Sequence, residues 1–185
     1  VESVGPGVTG VAPGDRVAYA GMRGEFFEDT GAYVEMRNLP AERLLVLPDG
    51  ISDRQVAAML VKGFTASLII NRVFKPEHGD TVLVHTAAGG VGTILGQWAR
   101  HLGATVIGTV GAPGKARVAE ASGCHRVIRY RDADLAAAVR AIAPHGVAAV
   151  FDGVAVQELG PEAAGRDADA VVMARHGREV AGDEQ

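Results

Sequence analysis

At 185 residues, 48 % of them hydrophobic, the chain has enough material for one sizeable α/β domain, or for one domain and part of another. A formal net charge of −4 argues against a general nucleic-acid or anionic-membrane surface, whereas a small anionic cofactor needs only one local cationic pocket. The single cysteine, Cys124, excludes an internal disulfide or a Cys-rich zinc knuckle and fits a reducing, cytoplasmic setting.

The chain opens on Val1-Glu2-Ser3-Val4-Gly5, which lacks an initiator Met and a basic-then-apolar leader and reads like the middle of a strand, so an incomplete chain is expected. No run is read as approaching the roughly 20 apolar residues of a membrane span. Up to about residue 50, Gly, Pro and short alternating runs (Arg16 to Ala20, Ala32 to Met36) predict several short β-strands, with a turn at Pro13-Gly14-Asp15. From Ser52, a candidate N-cap, apolar residues at Val56, Met59, Leu60, Phe64 and Leu68 predict two helices joined near Lys62-Gly63. A breaker at Pro76 to Asp80 precedes a strand over Thr81 to Thr86. The helix after Gly92 carries Ile94, Leu95, Trp98 and Leu102 on one face and ends at Gly103.

Strands at Thr105 to Val110, Arg126 to Tyr130 and Gly146 to Asp152 then alternate with helices at Lys115 to Ser122 and Asp134 to Ile142. That rhythm predicts right-handed βαβ units and a parallel sheet. After Asp152 the pattern weakens, with Ala170 to Met173 as a candidate fifth strand in a divergent tail.

The chemistry concentrates in Thr81-Val82-Leu83-Val84-His85-Thr86-Ala87-Ala88-Gly89-Gly90-Val91-Gly92, where an apolar strand breaks into glycines and then a helix. This is the layout of a dinucleotide diphosphate site: Gly89 and Gly92 allow close approach, and helix N–H groups and dipole attract the anion. Ala87 stands at the first glycine of the G-x-G-x-x-G fingerprint, so the context of strand, turn and helix carries the reading. A tight turn with no ligand is the alternative. About 20 residues on, where an NAD enzyme places Asp or Glu, the chain reads Gly108-Thr109-Val110-Gly111-Ala112-Pro113-Gly114-Lys115. The missing acid removes repulsion against a 2′-phosphate and Lys115 adds a cation, which favours NADPH; a solvated lysine opening a surface helix is the plainer alternative.

These residues resemble the zinc-independent quinone oxidoreductase branch of the medium-chain dehydrogenase/reductase superfamily, the branch that includes zeta-crystallin. The likeness rests on Gly5-Pro6-Gly7-Val8, Pro13-Gly14-Asp15-Arg16-Val17, Lys62-Gly63-Phe64-Thr65-Ala66, Val84 to Gly92, Gly108-Thr109-Val110-Gly111, Lys115 and Val127-Ile128-Arg129-Tyr130, and covers about residues 1 to 153. It implies an α/β fold with a Rossmann-type parallel sheet domain (63–153) preceded by part of a GroES-like β domain (1–62), with residues 154–185 as the divergent tail. It also implies NADPH as cofactor and a quinone or similar electron-poor carbonyl as acceptor. Carried over by position, Thr65 lies near the nicotinamide, Ala88 belongs to the cofactor site, Gly89, Gly90, Val91 and Gly92 hold the diphosphate, and Lys115 and Tyr130 flank the 2′-phosphate.

The zinc-dependent relatives need a Cys/His/Glu shell and a four-cysteine lobe, which one cysteine cannot supply, so no metal is expected. Cys124 reads as a packing residue, His85 as structural, and no catalytic donor is identified. Two further readings stay open: an enoyl or enone reductase using the same cofactor site, and a non-catalytic NADPH-binding redox sensor. No nucleic-acid or membrane partner is expected, and the full-length protein is allowed to be a homodimer.

Overall fold

The computed structural model describes residues 1–20, 33–132 and 134–152, together with the backbone of 170–173. It divides into two compact units, Val1–Val61 and Lys62–Gln185.

In the first unit, β1 (Val17–Ala18) pairs antiparallel with β2 (Leu45–Val46), Val17 opposite Val46. The Pro13-Gly14-Asp15 turn forms as expected. Gly14 takes φ 93°, and the Ala12 N–H donates to Asp15 Oδ2 at 2.7 Å. A strand does not form over residues 33–36, where Tyr33, Val34 and Met36 are exposed. Alternation specifies a strand only when one face is buried and a neighbour completes the ladder, and neither condition is met there among the described residues.

The helix α1 (Asp53–Leu68) starts from a capping box: the Ser52 N–H donates to Gln55 Oε1 at 2.9 Å and the Gln55 N–H donates to Ser52 Oγ at 3.3 Å. It runs on without a break at Lys62-Gly63 and continues as a π-turn over Ile69–Val73, so the two expected helices are one. An interior glycine costs only about 1 kcal/mol against alanine, less than burying Ala66, Ile69 and Ile70 further along returns. The continuous run Asp53–Val73, with mean hydropathy 1.4, has the length and composition of a membrane-spanning helix, which the expectation of two shorter helices had missed. Ala66, Ile69 and Ile70 are packed with Val82, Val84 and Phe151 in one core cluster, so this part of the run has the contacts of a core helix.

The second unit is a five-stranded sheet in the order β5-β4-β3-β6-β7, with β3 at Thr81–Val84, β4 at Thr105–Val110, β5 at Arg126–Arg129, β6 at Ala149–Asp152 and β7 at Ala170–Met173. Every pairing is parallel, with Val82 opposite both Val106 and Ala149. The helices α2 (Gly90–His101), α3 (Pro113–Ala121) and α4 (Leu135–Ile142) link successive strands. The expected parallel sheet and fifth strand are present, whereas the expectations for 154–169 and 174–185 fall outside the described residues. Alternate residues of β3 feed opposite cores. Val82 and Val84 pack with Leu95 and Ala99 of α2, and Leu83 packs with Ile107, Val150 and, from α4, Leu135 and Val139. Burial on both faces is why β3 reads as an unbroken apolar run. Strand order reverses between β3 and β6, and the carboxyl ends of strands at such a switch point are where open α/β sheets place ligands.

Candidate functional site

At the carboxyl end of β3 the chain turns sharply under backbone control. The His85 N–H donates to the Phe151 carbonyl at 2.9 Å, the Ala87 N–H to the Thr109 carbonyl at 2.9 Å, and the Gly89 N–H to the Thr86 carbonyl at 2.8 Å. The left-handed residue of the turn is Thr86, at φ 55°. Its N–H donates to Thr109 Oγ1 at 3.2 Å, which helps hold a conformation that costs a non-glycine residue about 1 kcal/mol or more. The first fingerprint position therefore has no need of glycine. Ala87 is fully buried, and its methyl fills space that Gly108 leaves open, since a Cβ on Gly108 would stand 2.7 Å from it.

The later glycines answer to crowding. A Cβ on Gly92 would lie 2.5 Å from the Thr86 carbonyl oxygen and 2.9 Å from Ala87 Cα, and one on Gly89 would lie 3.1 Å from the same oxygen. Because these neighbours are backbone, they cannot swing aside. The bare loop brings the chain directly into α2, whose N-cap, Gly89, offers no side-chain cap and whose first turn contains no acidic residue. Its leading N–H groups and the positive end of its dipole are left to an anion.

Beside this turn, at the ends of β4 and β5, a pocket of about 160 Å³ is lined by Thr86, Ala88, Thr109 to Ala112, Lys115, Tyr130 and Arg131. Lys115 stands in the first turn of α3, and Tyr130 directly follows β5. Gly111 is what lets them share the space, because a Cβ there would come 2.6 Å from the Tyr130 hydroxyl oxygen. The Tyr130 ring lies on His85 with centroids 5.3 Å apart. His85 is 7 % exposed, with Nδ1 2.8 Å from Thr109 Oγ1. That hydroxyl oxygen also accepts from the Thr86 N–H, so one side chain contacts both the turn and the imidazole. Thr109 thus joins the strained turn to the ring that supports Tyr130.

Of the expected site residues, the pocket gathers Ala88, Lys115 and Tyr130. Gly89, Gly90, Val91 and Gly92 form the cap and first turn of α2, outside this pocket's lining. Thr65 is half-buried within α1 and does not line it either. Thr86, Thr109, Gly111 and Arg131 are additions. Arg131 doubles the cationic side chains, and no carboxylate lines the pocket. In sequence Arg131 belongs to an ordinary charged turn, Gly111 to an ordinary helix-entry loop, and Thr109 is one more β-former; only their convergence distinguishes them.

Cys124 is a packing residue. Burial, with Glu120 nearby, pushes its thiol up to about 11, and Sγ occupies the room left by Gly108, where a Cβ would approach it to 2.5 Å. A thiol held protonated in this way is a poor nucleophile. Among the described residues no three of His, Cys, Asp and Glu converge as metal ligands would.

The chain is similar to several known proteins. A family model described as zinc-binding dehydrogenase matches residues 90–175, reaching past residue 153 into the stretch where the sequence shows no evident likeness. The 2-haloacrylate reductase of a Burkholderia species is 43 % identical over 162 residues, 86 % of this chain and 47 % of that protein. Among solved structures, quinone oxidoreductase from Pseudomonas syringae pv. tomato superposes with a TM-score of 0.79 at 36 % identity, covering 89 % of this chain and 50 % of that one. Escherichia coli quinone oxidoreductase complexed with NADPH does so with a TM-score of 0.76 at 38 % identity, covering 84 % and 46 %. The chain spans about half the length of the relatives it matches.

Proposed function

We propose, because the chain belongs to the quinone oxidoreductase branch of the medium-chain dehydrogenase/reductase superfamily, that it carries the NADPH-binding half of an oxidoreductase delivering hydride to a quinone or similar electron-poor carbonyl. The observation that carries this reading is the acid-free pocket in which Lys115, Arg131 and the Tyr130 hydroxyl meet beside the bare α2 N-terminus. A dinucleotide fits the two parts in sequence. Gly89 and Gly92 would let its diphosphate approach the first turn of α2, and Lys115, Tyr130 and Arg131 would take the 2′-phosphate. The bare Gly92 keeps the first turn of α2 seated on the Thr86–Ala87 backbone, which is where this fit needs the helix N-terminus to lie. We assign Thr65, Ala88, Gly90 and Val91 supporting positions along the same ligand, with Thr65 on its nicotinamide side.

The cofactor supplies the hydride, and the protein's part is to orient it, exclude water and steady charge on the acceptor oxygen. A quinone needs no Lewis acid for this, so the proposed chemistry runs without zinc, in the cytoplasm. Residues 1–62 would then belong to the substrate domain and 63–153 to the cofactor domain. In the experiment, the chain is mixed with NADPH and a quinone while the reduced-nicotinamide absorbance is followed. Steady consumption is expected, and NADPH should bind more tightly than NADH. Binding without consumption would instead favour the redox-sensor reading, and failure to bind NADPH would sink the proposal.

A second reading has its own support. The resemblance to a protein named for reducing 2-haloacrylate makes an electron-poor alkene a natural acceptor. Replacing the quinone with a 2-haloacrylate or an enone in the same assay separates the two.

A further inference from the structure

Lys62 lies outside the pocket described above, and its packing is unusual. Its stem crosses α2 at Gly90: a Cβ on Gly90 would stand 2.5 Å from Lys62 Cδ, 2.6 Å from Cε and 3.2 Å from Cγ. The bare Gly90 leaves room for the exposed lysine stem to lie across it, which places the ammonium, one bond beyond Cε, near the first residue of α2. That is the wrong end of a helix for a cation. The N-terminus already carries the positive end of the dipole, and helices place Lys and Arg at the other end, as α2 itself does with Arg100 and His101. No acidic residue in the first turn of α2 compensates the charge, and Lys62 forms no ion pair with a described residue. Lys62 is exposed, so water screens the charge, and the paired cation and helix N-terminus form a local positive site that an anion between them would stabilise.

We propose that Lys62 is the cationic arm of the dinucleotide site, its ammonium closing over the diphosphate from the side opposite the α2 N–H groups. The inference rests on the dinucleotide reading above and deepens it by assigning the counter-charge that the fingerprint glycines lack. The diphosphate is common to NADPH and NADH, so Lys62 serves affinity for both, whereas Lys115, Tyr130 and Arg131 serve discrimination. Gly90 acquires a role separate from that of Gly89 and Gly92: it seats the lysine.

The test compares Lys62→Met, which keeps a stem of similar length and removes the charge, with the unaltered full chain, titrated with ADP-ribose, NADH, NADPH and 2′-AMP. Only the last has no phosphate at the 5′ position. Lys62→Met should weaken ADP-ribose, NADH and NADPH by about tenfold each, as expected for one charge-assisted contact, and leave 2′-AMP within twofold. Lys62→Arg should restore most of the loss. Unchanged affinity for ADP-ribose in Lys62→Met would overturn the inference, as would an equal loss for 2′-AMP, which would mark a general disturbance of the fold. If the unaltered chain binds 2′-AMP and ADP-ribose but Lys62→Met loses neither, the dinucleotide reading survives and the arm does not. If the unaltered chain binds none of the four, both fall.

Discussion

In the proposed reading the two ends of the candidate site would solve the same problem, holding phosphate oxygens, by opposite means. At the α2 end the protein offers backbone: a turn strained at Thr86, glycines whose added Cβ would collide with the Thr86 carbonyl oxygen, and N–H groups with no side-chain cap. At the β4–β5 end it offers side chains, Lys115, Arg131 and Tyr130, propped by His85 and Thr109. Backbone donors are geometrically exact and indifferent to the rest of the ligand, so they suit what all dinucleotides share. Side-chain cations are adjustable and suit what distinguishes one from another.

This contrast can be broken at either end. The largest effect is expected from Gly92→Ala, whose new methyl meets the Thr86 carbonyl and Ala87 Cα, both immovable. It should cost roughly 1–3 kcal/mol of stability through overpacking and abolish measurable binding of NADPH and NADH together, checked by thermal melting and titration. Lys115→Ala comes next. NADPH affinity should fall about tenfold or more while NADH affinity changes less than about threefold, and equal losses would remove the 2′-phosphate assignment. Gly111→Ala should act more gently, because the atom it meets is the far end of the Tyr130 side chain. The ring can yield, so a loss of about threefold to fivefold in NADPH affinity, with NADH spared, is the expected titration result.

The smallest effect lies outside the pocket, at Cys124. Its thiol is raised in the folded state from 9.0 to about 11. The folded protein therefore holds this proton more tightly than the unfolded chain does. The resulting stabilisation is complete below pH 9 and declines as pH climbs towards 11. Melting temperature should drop less steeply across that window in Cys124→Ala than in the unaltered chain, and thiol-directed reagents should label Cys124 slowly at pH 8 unless the protein is unfolded.

Much of this molecule is legible in its residues because the relevant physics is local. The breaker at Pro76 to Asp80, the apolar run of β3, the glycines after it and the 3.6-residue stripe of Ile94, Leu95, Trp98 and Leu102 specify a strand, a turn and a helix with little help from elsewhere. Lys115 stands out because it coincides with a missing acid at a known spacing. The interrupted helix is a different matter. Gly63 looks like a joint in sequence, and only the burial of the following turns against the sheet decides that the helix continues. The alternating residues around Tyr33 look like a strand, and no neighbour completes one.

The amino-acid sequence by itself determined the order of strands and helices, the dinucleotide turn and the leaning towards a 2′-phosphate, because each depends on residues within a few positions or at one fixed offset. Tertiary structure alone decided what each glycine faces. Ala87 is accepted because Thr86 takes the left-handed turn, Gly111 is bare for a hydroxyl 19 residues away, and Gly90 is bare for a lysine stem 28 residues before it. A glycine in sequence records only that a side chain is absent. What fills the space is set by chain segments that meet only after the sheet has formed.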